Sequence, residues 1–327
     1  MLTAGLPDSA YSRSAAPVGA ADLKWNGARA LHSNRGKSAI EVNLTMTFET
    51  LASGYGLIEG PRVDEQNRLY FSDVQNGGVY RRSPNGAIET LIPRRRGVGG
   101  IALNEGGGIV FSGKSLCYWN EKTGQSRDVL TQWEGKPFKG LNDIQPDDHG
   151  SIYVGSLEFE ALSDQKPIPG SLFRVDPDGT ASKLWEGIEV TNGLGFSPDR
   201  KHLYHADSTT QAVWVYDVQP DRTVKDRRVF AKMPEGWPDG LAVDAEGGLF
   251  VAAVRSGEVV RFKPNGTLDW RMKVPATFVT SLTFGGPDLR DLYIVTADNT
   301  EDKERKGTIF KTRSEIPGLA VPKAKFK

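Results

Sequence analysis

Six degenerate copies of one short pattern constrain this chain more tightly than its length does. Glu59 opens EGPRVDEQNRLYFSD, Gly99 opens GGIALNEGGGIVFSG, Asn142 opens NDIQPDDHGSIYVGS, Asn192 opens NGLGFSPDRKHLYHAD, Asp239 opens DGLAVDAEGGLFVAA and Thr280 opens TSLTFGGPDLRDLYIVT. Successive openings lie 40, 43, 50, 47 and 41 residues apart. A period of roughly 40 to 50 residues is that of one four-stranded propeller blade. Six copies predict an all-β chain folded as a six-bladed β-propeller.

Each copy reads as strand, tight turn, strand. Leu194 and Phe196, or Leu241 and Val243, alternate with the period of two of a half-buried strand. Turn formers follow, as in Pro198-Asp199 and Ala245-Glu246-Gly247-Gly248, and then a second apolar run such as Leu249-Phe250-Val251. Third strands end at Pro84-Asn85-Gly86, Pro177-Asp178-Gly179 and Pro264-Asn265-Gly266, which are hairpin turns. Asp73, Asp207 and Asp244 lie outside the register of the openings and are expected to cap turns.

A propeller closes on itself, so residues 47–327 are expected to form one domain although the length would allow two. Residues 1–46 stand outside the repeat and lack apolar periodicity. They are expected to be a poorly structured extension, or sequence preceding a start at Met46. Their Arg and Ser content also suits an organellar transit peptide, but they lack the continuous apolar centre of a secretory signal. No apolar run approaches the roughly 18 residues of a spanning helix.

Charge narrows the partners. Lys plus Arg and Asp plus Glu are both 41, so nothing favours nucleic acid or an anionic membrane. The one basic cluster, Arg94-Arg95-Arg96, reads as a solvated loop. Cys117 is the single cysteine, which excludes an intrachain disulfide and makes a reducing, cytoplasmic setting the expectation. It should be a buried thiol without a catalytic part. There is no G-x-S-x-G elbow, no H-E-x-x-H helix and no C-x-x-C pair. Among four histidines, His205 is expected to be structural.

In a propeller the first strand of every blade lines the central channel, so equivalent positions converge on the axis. Glu59, Asn142, Asn192 and Asp239 would then ring one end of that channel. Two carboxylates and two amides present hard oxygens that suit calcium, magnesium or manganese. Without a cation, two anions in a narrow channel repel and raise a pKa. The competing reading is that these residues cap inner-strand starts, a common use of Asn and Asp.

The segments IEGPRVDEQNRLYFSD, LNDIQPDDHGSIYVGS, TNGLGFSPDRKHLYHAD and PDGLAVDAEGGLFVA, taken in order, resemble the senescence marker protein/gluconolactonase (regucalcin-like) family of six-bladed propeller lactonases. The resemblance runs from about Phe48 to Lys311. It implies that Glu59, Asn192 and Asp239 hold one divalent metal ion, calcium first, with zinc, manganese, magnesium or iron as alternatives. It implies a substrate-contacting or metal-proximal role for Asn142, and an acidic substrate contact that falls by spacing on Glu160, with Glu158 beside it. Where gluconolactone-hydrolysing members carry an arginine, this chain has Gly140. A less hydroxylated cyclic ester therefore stays open beside a sugar lactone, and Phe138, Phe159 and Trp237 near the expected mouth would suit an apolar one.

The reaction expected is hydrolysis of a lactone, its carbonyl polarised by the metal, with Asp239 as the base that takes the proton from water or a metal-bound water as nucleophile. Two other readings remain at this stage. One is a non-catalytic propeller that binds a ligand or protein. The other is a metal-free enzyme on the related strictosidine-synthase-like scaffold.

Overall fold

In the computed structural model, residues 43–44, 46–161 and 165–327 are described, and they form six blades of four antiparallel strands arranged as a β-propeller, one blade extended by a short parallel fifth strand, with a separate two-stranded ribbon at Gln132–Trp133 and Lys136–Pro137. Most of the extension expected over residues 1–46 lies outside the described residues; Asn43 and Leu44 pair in parallel with Arg271 and Met272. The inner strands are Ile58–Val63, Ile101–Leu103, Gly140–Pro146, Thr191–Phe196, Trp237–Val243 and Val279–Gly285, one for each repeat read from the sequence. Each touches the inner strand of the next blade, and the last touches the first, so the six close a ring. Among the described residues no helix is long and apolar enough to cross a membrane.

Packing follows from strand alternation. The apolar residues of each sheet point to both faces and are buried in six clusters, each filled from two neighbouring blades. One cluster packs Ile58, Leu69 and Phe71 of the first blade on Tyr293, Val295 and Ile309 of the last. Burying each such side chain stabilises the fold by roughly 1.5–3 kcal/mol. The core is therefore distributed around the ring, and the axis is left to polar residues and glycine.

The ring is joined by its two ends of chain. The outer strand of the last blade is Glu49–Tyr55, from the N-terminal side, paired with Gly307–Arg313 from the C-terminal side. Beyond that strand the chain crosses beneath the propeller: Leu319 N donates to Val243 O at 2.8 Å, Ala324 N to Leu103 O at 2.9 Å and Lys325 N to Gly150 O at 3.1 Å. This strap covers the end of the channel where the inner strands finish. Asp73, Asp207 and Asp244 cap turns as expected; Asp244 Oδ1, for example, accepts from the backbone of Glu246 at 2.9 Å and Gly248 at 2.8 Å. Deleting residues 1–55 removes the closing strand and exposes the edge at Gly307–Arg313, an open template for aggregation. The expected outcome is a drop in Tm of roughly 10 °C or more, or aggregation, measured by thermal unfolding against the full chain.

Candidate active site

Five of the six inner strands lose register with their neighbours at the same place. Pairing jumps between Glu59 and Arg62, Leu141 and Ile144, Thr191 and Leu194, Pro238 and Leu241, and, over a shorter step, Val279 and Ser281. Asn142, Asn192 and Asp239 lie inside these bulges, and Glu59 borders its own. A bulge bends its strand and re-aims a side chain, and bulges concentrate beside active sites. The register seen in the sequence is thus a register of bulges.

The re-aimed groups meet at one end of the channel. Asn142 Nδ2 donates to Thr191 O at 2.8 Å and also to Asn192 Oδ1. Asn192 Nδ2 donates to Ser208 Oγ at 2.6 Å, and that hydroxyl donates to Pro238 O at 2.7 Å. One hydrogen-bonded chain therefore runs across three blades from Asn142 to the residue before Asp239. It commits both amide hydrogens of Asn142 and fixes the direction of Asn192, whose oxygen keeps a second lone pair. Gly99, at the same register in the second blade, abuts this chain: a Cβ there would stand 2.1 Å from Asn142 Oδ1.

Two further residues complete the cluster, and neither was singled out from the sequence. Asp143 is buried, with Oδ2 lacking a partner, and Arg62 places its guanidinium between Pro61 O at 2.8 Å and Ile144 O at 3.0 Å. Burial pushes the Glu59 carboxyl well above the ordinary range, and the negative charges of Asp239 and Asp143 push it further. Asp239 is raised by burial and then by Asp143. Asp143 is raised by burial to about 6 against the pull of Arg62. Three carboxyl groups against one guanidinium leave two negative charges uncompensated when ionised, which is the charge of one divalent cation.

The donor set therefore fits a hard cation: oxygen atoms only, surplus negative charge, and a buried carboxylate oxygen without a partner. Among the described residues, His, Cys, Asp and Glu side chains alone form no group of three or more that could hold a metal. A cation at this end would depend on asparagine oxygen and water besides Glu59 and Asp239.

Other candidates are placed as follows. Glu160 is exposed and Glu158 half-buried on the loop after Leu157, which pairs with Gly140 and so leaves the third blade at the same end of the channel as Asn142. Glu158 Oε1 accepts from Ser156 Oγ at 2.8 Å, and Glu160 N donates to Gln165 Oε1 at 3.1 Å. Phe138 and Phe159 are both buried, Phe138 against Phe173 at 5.4 Å, so neither offers an open apolar face. Trp237 is half-buried beneath Arg255, whose guanidinium lies 4.0 Å from the ring centroid. Cys117 is a buried free thiol. In the basic loop Arg94 and Arg96 are exposed, while Arg95 is half-buried over Phe111 at 5.6 Å. His205 is buried; its Nε2 bonds Thr191 Oγ1 at 2.6 Å and Nδ1 has no partner.

Comparison with known proteins agrees with this architecture. Residues 57–298 match the family model described as SMP-30/Gluconolactonase/LRE-like region. A 6-deoxy-6-sulfogluconolactonase of Pseudomonas putida is 32% identical over 266 residues, 78% of this chain and 89% of that protein. A regucalcin of Xenopus laevis is 30% identical over 282 residues, 82% of this chain and 92% of that protein. The solved structure of a calcium-binding protein, regucalcin, from Agrobacterium tumefaciens superposes with a TM-score of 0.74 at 21% identity, covering 86% of this chain and 98% of that one, and shows the likeness of fold.

Two outcomes test the site's construction. Gly99→Ala should displace the Asn142 amide and lower kcat/KM on a turned-over lactone at least tenfold, with circular dichroism unchanged. His205 tests its burial: its folded pKa is depressed to about 3 by burial and by Arg227, from an ordinary 6.5. Between those values the unfolded chain binds a proton that the folded chain does not, so this residue removes stability as pH falls through that window. The expected loss is about 1.4 kcal/mol per pH unit, read by denaturant unfolding as a slope that His205→Gln lacks.

Proposed function

Because the chain belongs to the SMP-30/gluconolactonase/LRE-like family, we propose that the bulged end of its channel opens a lactone by hydrolysis with one divalent cation held by Glu59, Asn192 and Asp239. The observation that carries this reading is the placement of all four polar residues at bulges of the inner strands, beside an uncompensated double negative charge. The relative in Pseudomonas putida, named a 6-deoxy-6-sulfogluconolactonase, supports a sugar-type lactone as the substrate class. Calcium is the first ion to test, since regucalcin from Agrobacterium tumefaciens is described as calcium-binding.

When bound, the cation supplies Lewis acidity toward the lactone carbonyl and balances the surplus charge of the cluster. Asp239 takes the proton from the water that attacks the carbonyl carbon. The ring carbon–oxygen bond then breaks, and the same carboxyl returns its proton to the departing alkoxide, leaving a hydroxy acid. Asn142 has both amide hydrogens committed, so it meets a substrate hydroxyl through Oδ1 as an acceptor. Glu160, on the loop at the same end, contributes a second acceptor, consistent with a hydroxylated substrate. Asp143 and Arg62 lie beneath and set the field around the carboxylates.

A lactone panel followed with a pH indicator tests this, using chelated protein reloaded in turn with calcium, zinc, manganese, magnesium or ferrous iron. Turnover should vanish on chelation and return with one of the ions. Asp239→Ala should lower kcat by about 10² to 10⁴, the usual worth of a positioned base, while the propeller stays folded. It should also raise the Tm of metal-free protein, because one of the mutually repelling buried carboxyls is gone. Wild-type turnover in that variant removes Asp239 from the reaction; no hydrolysis with any ion, in folded protein, overturns the reading.

A further inference from the structure

At the opposite end of the channel from the carboxylate cluster, beneath the finishing ends of the inner strands, lies a cavity of about 390 Å³. That is the size of a small-molecule pocket. Its walls mix apolar and polar groups, the apolar part including Leu194, Leu241, Leu282 and Phe284, and the C-terminal strap borders it with Leu319 and Val321. Its polar lining includes Arg62, Gln145 and Thr283, residues of three inner strands that project past the active-site bulges.

The charges around it are mostly paired. Asp64 bonds Arg68 at 2.6 Å, Glu65 bonds Lys323 at 2.5 Å, and Arg200 bonds Asp148 at 3.0 Å. Arg62 differs. Its five N–H groups meet two backbone carbonyls, its Nε is buried without a partner, and among the described residues no carboxylate oxygen comes within 4.0 Å of it. Asp143 and Glu59 act on it electrostatically from the active-site side, without a hydrogen bond. A guanidinium with unused Nη donors beside a chamber walled in part by leucine is suited to a planar, singly charged acceptor with an apolar body.

We infer that this chamber is a second small-molecule site, adjoining the proposed lactone site through Arg62, which takes a small carboxylate with a short hydrocarbon tail. The carboxylate accepts from the Nη hydrogens of Arg62 that Pro61 O and Ile144 O leave free, and the tail lies against Leu194, Leu241 and Leu282. A phosphate or sulfate fits less well, since one guanidinium, whose charge already faces Asp143 and Glu59, cannot satisfy a doubly charged group.

Hexanoate is the probe and hexanamide its uncharged control, both followed by calorimetric titration of the full chain. Hexanoate should bind one molecule per chain, at least tenfold more tightly than hexanamide. Ala242→Phe, which fills the chamber from its wall, should abolish binding, and Ala242→Leu, a smaller change that keeps the fold if phenylalanine does not, should weaken it at least fivefold. Arg62→Gln should reduce hexanoate affinity to that of hexanamide. Asp239→Ala, at the other end, should leave it unchanged. Equal binding of the two probes, no binding of hexanoate, or binding lost in Asp239→Ala but kept in both Ala242 variants would overturn the assignment. None of these outcomes depends on lactone turnover, so the two readings fail separately.

Discussion

The site depends on how closely six inner strands approach one another around the axis. At two of the proposed ligand positions, Asn192 and Asp239, the approach leaves no room for a side chain on the next residue. A Cβ on Gly193 would lie 2.4 Å from Leu241 N and 2.7 Å from Asp239 O, and one on Gly240 would lie 2.0 Å from Ser281 Oγ. Asn-Gly and Asp-Gly therefore form a unit in which the first residue turns into the channel and the second lets the neighbouring backbone come near. A larger residue at either glycine would push two blades apart and separate Asn192 from Asp239. In the third blade the partner residue is Asp143 instead, and its side chain enters the channel and adds to the charge.

That concentration of charge opposes stability. Glu59, Asp143 and Asp239 are held where burial and mutual repulsion favour their neutral forms. An apolar set at the same positions would stabilise the ring, as replacement of buried ionic groups often does. The stability that tolerates this arrangement comes from the six interblade clusters, which lie away from the axis. The propeller thus separates what holds it together from what reacts, and the uncompensated charge at one end favours a cation there.

The sequence reveals the blades well because the repeat is enforced by packing: every blade must bury both faces, so its alternation and turns recur. It reveals Glu59, Asn142, Asn192 and Asp239 because their bulges fall at one register. Arg62 and Asp143 have no counterpart in the other copies. Their roles arise from burial beside the ring, which single-residue spacing does not report; the one signal was an acidic residue following Asn142 where Asn192 and Asp239 are followed by glycine. Phe138 looked available from its place in a loop, yet it packs on Phe173, because loop residues before an inner strand can fold into the interblade cluster.

Why the reaction is more legible than the substrate follows from the same geometry. The cation-binding candidates sit on inner strands, whose backbone positions are held by ladders on one side and by the next blade on the other. Groups that would touch the rest of a lactone sit mostly on connections: Glu158 and Glu160 beyond Leu157, and Arg255 beyond Val254, over Trp237 at the first residue of its inner strand. Connections can change length and side chain without disturbing the ring, so they carry no periodic mark. Glycine at position 140, on the strand itself, leaves room above Asn142 that a bulkier residue would occupy, with only Leu157 side-chain atoms within 4 Å of a Cβ there. On the proposed reading, substrate choice would be set by what the loops bring into that space, while the inner strands hold the carboxylates and amides in one arrangement.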